Sequence, residues 1–208
     1  MYYKNNRKEM LLLLPKQYSR VLEIGCGEGN FRENLKLGYE FWGVEPNELS
    51  AIKAEKKMDK VLIGPYEDVF NEIPDNYFDL VVCNDVIEHM VDHDEFFQSI
   101  KNKIKAKGVL IASIPNVRFI KNLNELIVKK DWEYKSDGIL DRTHLRFFTE
   151  KSLKRTISDN GFIIEDFIGL NPYKRKGFGI RRFLYNVAIS WLGSDLRFMQ
   201  FGIRIRSS

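Results

Sequence analysis

Three glycines at alternate positions, Gly25, Gly27 and Gly29, close an apolar run that begins at Val21. Glycine takes backbone dihedrals that other residues avoid, and it lets the chain come close to a ligand. A glycine turn that ends a strand and opens a helix is a nucleotide-binding device. Further along come Glu45, then Glu67 and Asp68, then Asn84 and Asp85. A carboxylate ending the second strand can accept bonds from ribose hydroxyls, and one after the third strand can meet an adenine amino group. The chain has three histidines, His89, His93 and His144. Asp85, Glu88 and His89 sit at offsets of three and four, on one side of a helical turn. His89 or His144 there suits a general base. Asp85, Glu88, His89 and His144 together suit a divalent cation, and plain capping and packing is the third reading. His93, followed by two acids, is expected at the surface.

The elements that must position these groups follow from periodicity. Short apolar runs at 20–25, 41–45, 60–64, 78–84, 108–114 and 162–168 read as strands. The 78–84 run is apolar on both faces, as a central parallel strand requires. Helical stretches fall between them: 6–14, 31–37, 47–57 behind an Asn47 cap, 92–105, and 151–160 behind Thr149 and Glu150. Gly161 stands where a helix C-terminal glycine belongs. From Pro115 to Phe148 the rhythm breaks, apart from a short helix near 122–130, and a long aperiodic insertion reads as a lid or substrate wall. An amphipathic helix over 181–192 and an alternating strand from Met199 end the chain, and the short gap between them sets that strand antiparallel. The expected fold is α/β: a Rossmann-like, doubly wound, seven-stranded sheet, mostly parallel, with an antiparallel last strand and helices on both faces. One domain covers 1–208, with an N-terminal helix at about 5–14, the insertion at 115–148 and a basic segment at 170–208.

Val21-Leu22-Glu23-Ile24-Gly25-Cys26-Gly27-Glu28-Gly29, together with Glu45, Tyr66-Glu67-Asp68 and FDLVVCNDVIEHM at 78–90, resembles the class I S-adenosylmethionine-dependent methyltransferases. The resemblance spans roughly residues 1–169. It implies S-adenosylmethionine as cofactor, held by Glu23, Gly25, Cys26, Gly27, Gly29, Glu45, Pro46, Glu67, Asp68, Asn84 and Asp85. Glu23 would lie near the methionine amino group and Asn84 at the methionyl end. NAD fits less well, because position 30 is Asn where the dinucleotide pattern needs a third glycine. The Asp85, Glu88, His89, His144 set is similar to one in small-RNA 3′-end ribose methyltransferases and, in part, in ubiquinone-biosynthesis O-methyltransferases, which have Glu where this chain has Asp85. The run 141–149 resembles a segment of bacterial methyltransferases of glycan assembly, as does the N-terminal stretch 5–15. Arg142 and Arg146 would then bind an anionic sugar or phosphate, and Tyr2, Tyr3 and Arg7 would close over the cofactor or simply pack.

Composition bounds the rest. The chain has 208 residues, 44% hydrophobic and 30% charged, which suits an ordinary globular core. Cys26 and Cys83 are its only cysteines and read as buried, reduced residues. No secretory signal or membrane-spanning run is legible, so a cytoplasmic location is expected. Net charge is +4, but the segment from Leu170 onward carries +7, leaving −3 elsewhere. That asymmetry suggests an anionic partner or peripheral contact with the inner face of a membrane, set against a solvated basic face. The acceptor expected first is the O or N of a sugar, nucleotide-linked sugar or lipid-linked glycan. The alternative is a quinone-like small molecule. RNA ranks lower, because aromatic and basic residues interleave only in the tail; DNA is not expected. Intact acids and histidines argue against a non-catalytic cofactor-binding protein.

Overall fold

Strand β1 (Arg20–Ile24) shows how the sheet is layered. Leu22 and Ile24 enter one apolar cluster and Val21 the other, as the two-residue period of a strand dictates. The computed structural model describes residues 6–36, 38–173 and 179–208, the side chains at 180–184 and 188 apart. Its other strands are β2 (Glu40–Glu45), β3 (Lys60–Ile63), β4 (Phe78–Asn84), β5 (Ile104–Pro115), β6 (Phe162–Pro172) and β7 (Phe198–Ser207). They form one seven-stranded sheet in the order β3-β2-β1-β4-β5-β7-β6. β7 runs antiparallel to both β5 and β6, and the remaining pairs are parallel. This is the expected doubly wound fold. The chain leaves β1 toward β3 on one side and resumes at β4 on the other. The crevice at the carboxyl ends of β1 and β4 is therefore the topological switch point, where such sheets bind ligands.

Helices cover both faces. In chain order they are α1 (Glu48–Ala54), α2 (Tyr66–Val69), α3 (His93–Lys103), α4 (Ile120–Leu123), α5 (Glu150–Asp159) and α6 (Ile180–Leu192). α2, α3 and α5 bury Tyr66, Phe96, Phe97, Ile100, Leu153 and Ile157 against one face. α1 and a 3-10 segment, Lys8–Leu13, bury Ala54, Met10 and Leu13 against the other. The expected caps form: the side chain of Asn47 accepts from Ser50 N–H, and Thr149 builds a capping box with Ser152. Gly161 ends α5 with φ at +72°.

Four expectations about elements need correction. The stretch after the glycine loop forms a 3-10 turn, Phe31–Asn34, instead of a helix. The N-terminal stretch is likewise 3-10. The helix of the insertion is α4 continued by a π-helical turn, Asn124–Lys129. β5 starts at Ile104, which pairs with Phe78 before a register shift. Both cysteines are free and buried, as read.

The tail's charge is partly internal. Arg204 pairs with Glu165 and Asp166, and Arg206 with Glu165, along the β6–β7 edge. Tyr2, Tyr3, Lys174, Arg175 and Lys176 lie outside the described residues, as do the side chains of Arg181, Arg182 and Phe183. No helix of the described residues is long and apolar enough to cross a membrane.

Candidate cofactor and acceptor site

The carboxyl ends of β1, β2 and β4 open on a cavity of about 610 Å³, within the range of small-molecule sites. The order of the strands sets the order of the groups. Glu67, at the start of α2, marks one end; Glu45 and Pro46 follow; Gly25, Cys26 and Gly27 form the floor. Asn84, Asp85 and His89 stand beyond β4, and Ser136, Asp141 and Thr143 of the insertion close the far end.

The glycine loop is shaped by its own acid. Glu45 accepts from Gly27 N–H at 2.7 Å and, through its other oxygen, from Asn47 N–H at 3.0 Å. Gly25 and Gly27 have φ of +69° and +55°. A Cβ at Gly25 would lie 2.7 Å from Val86 Cγ2, so both the dihedral and the space require glycine there. Burial raises the Glu45 carboxyl above its usual range.

Beside the loop lies an unsatisfied polar pair. Glu23 is 3% exposed and Asn84 9%. Among the described residues, Glu23 Oε2 and both amide atoms of Asn84 have no hydrogen-bond partner. Burial pushes the Glu23 carboxyl well above its ordinary value. Buried polar atoms without partners are costly, and a ligand that brings both donors and acceptors would satisfy this pair. An amino-acid group fits that description. The residues present therefore fit S-adenosylmethionine: Glu23 and Asn84 for its amino group, the glycine floor for close approach, Glu45 for its ribose.

Four expected residues stand elsewhere. Gly29 does not line the cavity; its missing side chain lets α1 approach, since a Cβ there would sit 3.3 Å from Ala54 Cα. Asp68 is exposed on α2 and does not line the cavity; Glu67, also exposed, does, while Tyr66 and Val69 take the inward positions. Arg142 is exposed and away from the cavity. Arg146 is a brace: its guanidinium donates to the backbone carbonyls of Leu145 and Val91.

The histidines separate by depth. His89 lines the cavity, while His144 is buried behind it, with ring centroids 4.7 Å apart. His89 Nδ1 lies 3.1 Å from Thr143 C=O, and His144 Nδ1 lies 3.0 Å from Ile139 C=O. A carbonyl can only accept, so each Nδ1 carries a proton, and whenever the ring is neutral Nε2 holds the lone pair. Burial lowers the His144 pKa. His93, expected at the surface, is half-buried: its side chain is 21% exposed and its ring packs edge-on to Phe148.

Of the four expected metal-ligating residues, three gather. One atom each of Glu88, His89 and His144 lie within 4.8 Å of one another. Glu88 is fully buried, neither of its carboxylate oxygens has a hydrogen-bond partner among the described residues, and burial raises its pKa to about 8. Asp85 turns elsewhere. It accepts from Ser113 Oγ at 2.8 Å and Gln200 Nε2 at 2.6 Å, and it pairs with the Arg7 guanidinium. Arg7 lines the cavity and brings the N-terminal segment over it. The sequence reading passed over Asp141 and Thr143 as site residues. Their signal was local: an Asp two residues before a Thr is an Asx turn, directly ahead of a histidine.

The family of methyltransferase domains matches residues 2–166. A ubiquinone biosynthesis O-methyltransferase of Bradyrhizobium diazoefficiens is 32% identical over 165 residues, 76% of this chain and 64% of that protein. The mitochondrial protein of the same description from Schizosaccharomyces pombe is 25% identical, over 76% of this chain and 60% of its own length. The matched region thus spans about three fifths of each of these relatives. A solved S-adenosylmethionine-dependent methyltransferase of Archaeoglobus fulgidus has the same fold, with a TM-score of 0.69 at 21% identity, covering 99% of this chain and 93% of that one. With residues 2–166 matched by the family model, the chain belongs to the methyltransferase-domain family.

Proposed function

We propose that the chain transfers a methyl group to a ring hydroxyl of a small quinol-like or phenolic molecule, with His89 as the base. The observation that carries this is the tethering of His89. Its Nδ1–H is held by the Thr143 carbonyl, which leaves Nε2 as a proton acceptor on a ring that lines the cofactor cavity beside Asn84 and Asp85. Bound S-adenosylmethionine supplies the electrophilic methyl. His89 takes the acceptor's proton, Glu23 and Asn84 orient the donor, and the insertion shields the reacting atoms from water. The names of the relatives point to an oxygen acceptor on a quinone-type molecule. They name no sugar, and Arg142 and Arg146, the residues expected to hold a sugar phosphate, lie away from the cavity. The reading therefore moves from the glycan acceptor to the quinone-like alternative.

A second reading rests on Glu88, buried without a partner beside two imidazoles. Glu88, His89 and His144 would hold a divalent cation, whose charge would lower the proton affinity of an acceptor hydroxyl. One experiment separates the two. Turnover is measured on catechols, sugar nucleotides and RNA, with and without EDTA, for the native chain and His89→Ala. We expect catechol turnover that EDTA leaves intact, and a loss of about 10²–10⁴ in kcat for His89→Ala with S-adenosylmethionine affinity unchanged. Turnover confined to sugar nucleotides or RNA sinks the acceptor assignment, and loss of turnover in EDTA transfers the case to the cation.

A further inference from the structure

At the far end of the cavity stands a carboxylate that neither the cofactor reading nor the base reading uses. Asp141 is 9% exposed and lines the cavity. Its Oδ1 accepts twice from Thr143, from the backbone N–H at 2.8 Å and from the hydroxyl at 2.6 Å. Oδ2 takes no hydrogen bond among the described residues.

The backbone around it is tightly tied. Lys135 N–H donates to Leu140 C=O at 2.8 Å, Arg142 N–H to Lys135 C=O at 3.0 Å, and Asp141 N–H to Gly138 C=O at 3.1 Å. His144 N–H then closes on Asp141 C=O at 3.0 Å. A plain turn-forming role accounts for Oδ1. It leaves Oδ2 without a protein partner among the described residues, on a residue that lines the cavity.

Thr143 links this carboxylate to the base. Its amide and hydroxyl hold Asp141, and its carbonyl holds His89 Nδ1. The base and the carboxylate are therefore fixed relative to one another by a single residue. The charges facing this end are mostly negative or already engaged. Arg7 is paired with Asp85, and Glu88 lies buried behind His89. Burial opposes ionisation of Asp141, but the two Thr143 bonds and the His144 and His89 rings outweigh it and hold the carboxyl below its usual range.

We propose that Asp141 is the acceptor-discriminating residue: its free oxygen accepts a hydrogen bond from an uncharged or cationic donor group adjacent to the reacting hydroxyl, and its charge turns away acceptors that carry an anionic group at that position. This rests on the phenolic reading above, and it adds a residue and a sign of charge to it. Like charge brought against a carboxylate that lines the cavity is a repulsive element of the kind that sets specificity, and a donor lost from an acceptor that the bound ligand shields from water also weakens binding.

The test measures binding of catechol, 2-methoxyphenol and salicylate to the S-adenosylhomocysteine complex by calorimetry, in the native chain and in Asp141→Asn. The three share a phenol and differ in the ortho group: donor, acceptor only, anion. We expect the native chain to bind catechol at least tenfold tighter than 2-methoxyphenol and at least 100-fold tighter than salicylate. In Asp141→Asn the catechol-to-salicylate ratio should fall at least tenfold, with thermal unfolding and S-adenosylhomocysteine affinity preserved. An unchanged ratio overturns the role of Asp141 and leaves the phenolic reading standing on catechol turnover. Binding of none of the three overturns both. Should Asp141→Asn fail to fold, Thr143→Val removes the hydroxyl half of the clamp and keeps the charge. Catechol affinity should then fall while salicylate remains excluded, and loss of that exclusion would equally overturn the proposal.

Discussion

The two ends of the cavity are built by different means. The donor end is made of strand ends: β1, β2 and β4 stop in register, and Gly25, Gly27, Glu45, Glu23 and Asn84 sit at or just beyond those stops. The acceptor end is made of the insertion, where irregular backbone is held by side-chain clamps. Thr143 binds Asp141 and His89, while Leu145 and Arg146 N–H both donate to Glu88 C=O, at 2.8 and 3.1 Å. A parallel sheet repeats its geometry, so a donor site placed on it tolerates little change. A clamped loop can vary its tip while its anchors hold, which suits the part of the molecule that selects the acceptor.

If that contrast holds, the donor end should be the more sensitive to shape. Gly25→Val brings a side chain against Val86 and forces a β-branched residue to φ +69°. We expect S-adenosylmethionine affinity to fall about 100-fold, or ~2.7 kcal/mol, with about 1–2 kcal/mol of strain appearing in the unfolding free energy. Calorimetry and denaturant titration read the two separately. Near-native affinity would mean the loop is not the rigid floor described.

The hinge between the two ends is Glu88, and pH sharpens its role. In the metal-free chain its folded-state pKa of about 8 lies well above the usual carboxylate value. Between those values the folded state holds more protons than the unfolded state, so this group makes stability fall as pH rises from about 5 to 8. His144, lowered by burial, acts in the opposite sense through its own ordinary range. The difference between the native chain and Glu88→Gln isolates the carboxylate. Measured in EDTA, the variant should gain on the native chain by a few kcal/mol at most by pH 8; parallel pH curves would contradict the assignment. The smallest effect is expected at Arg142. Its replacement by Ala should leave stability within about 0.5 kcal/mol and kcat/KM within about twofold. A large loss would return the anionic acceptor to consideration.

How much of this was legible beforehand follows the same division. β4 was read at its true limits, because FDLVVCN is apolar on both faces and only a central strand uses such a run. The caps at Asn47 and Thr149 were legible, because they are local chemistry between residues three apart. The segment 31–37 misled, because its composition reads as helical while the chain closes only a 3-10 turn over Phe31–Asn34. Arg142 and Arg146 were named for their charge, yet an extended loop gives no period from which to tell inward from outward.

By itself, then, the sequence determined the sheet and the glycine floor, because strand period and turn chemistry are local and repeat along the chain. Only the tertiary structure decided the acceptor end. There, His89 and Thr143 lie 54 positions apart and Arg7 and Asp85 lie 78 apart, and no local rule connects them. The packing of the insertion and the N-terminal segment over one crevice brought His89, the buried Glu88 and Asp141 together.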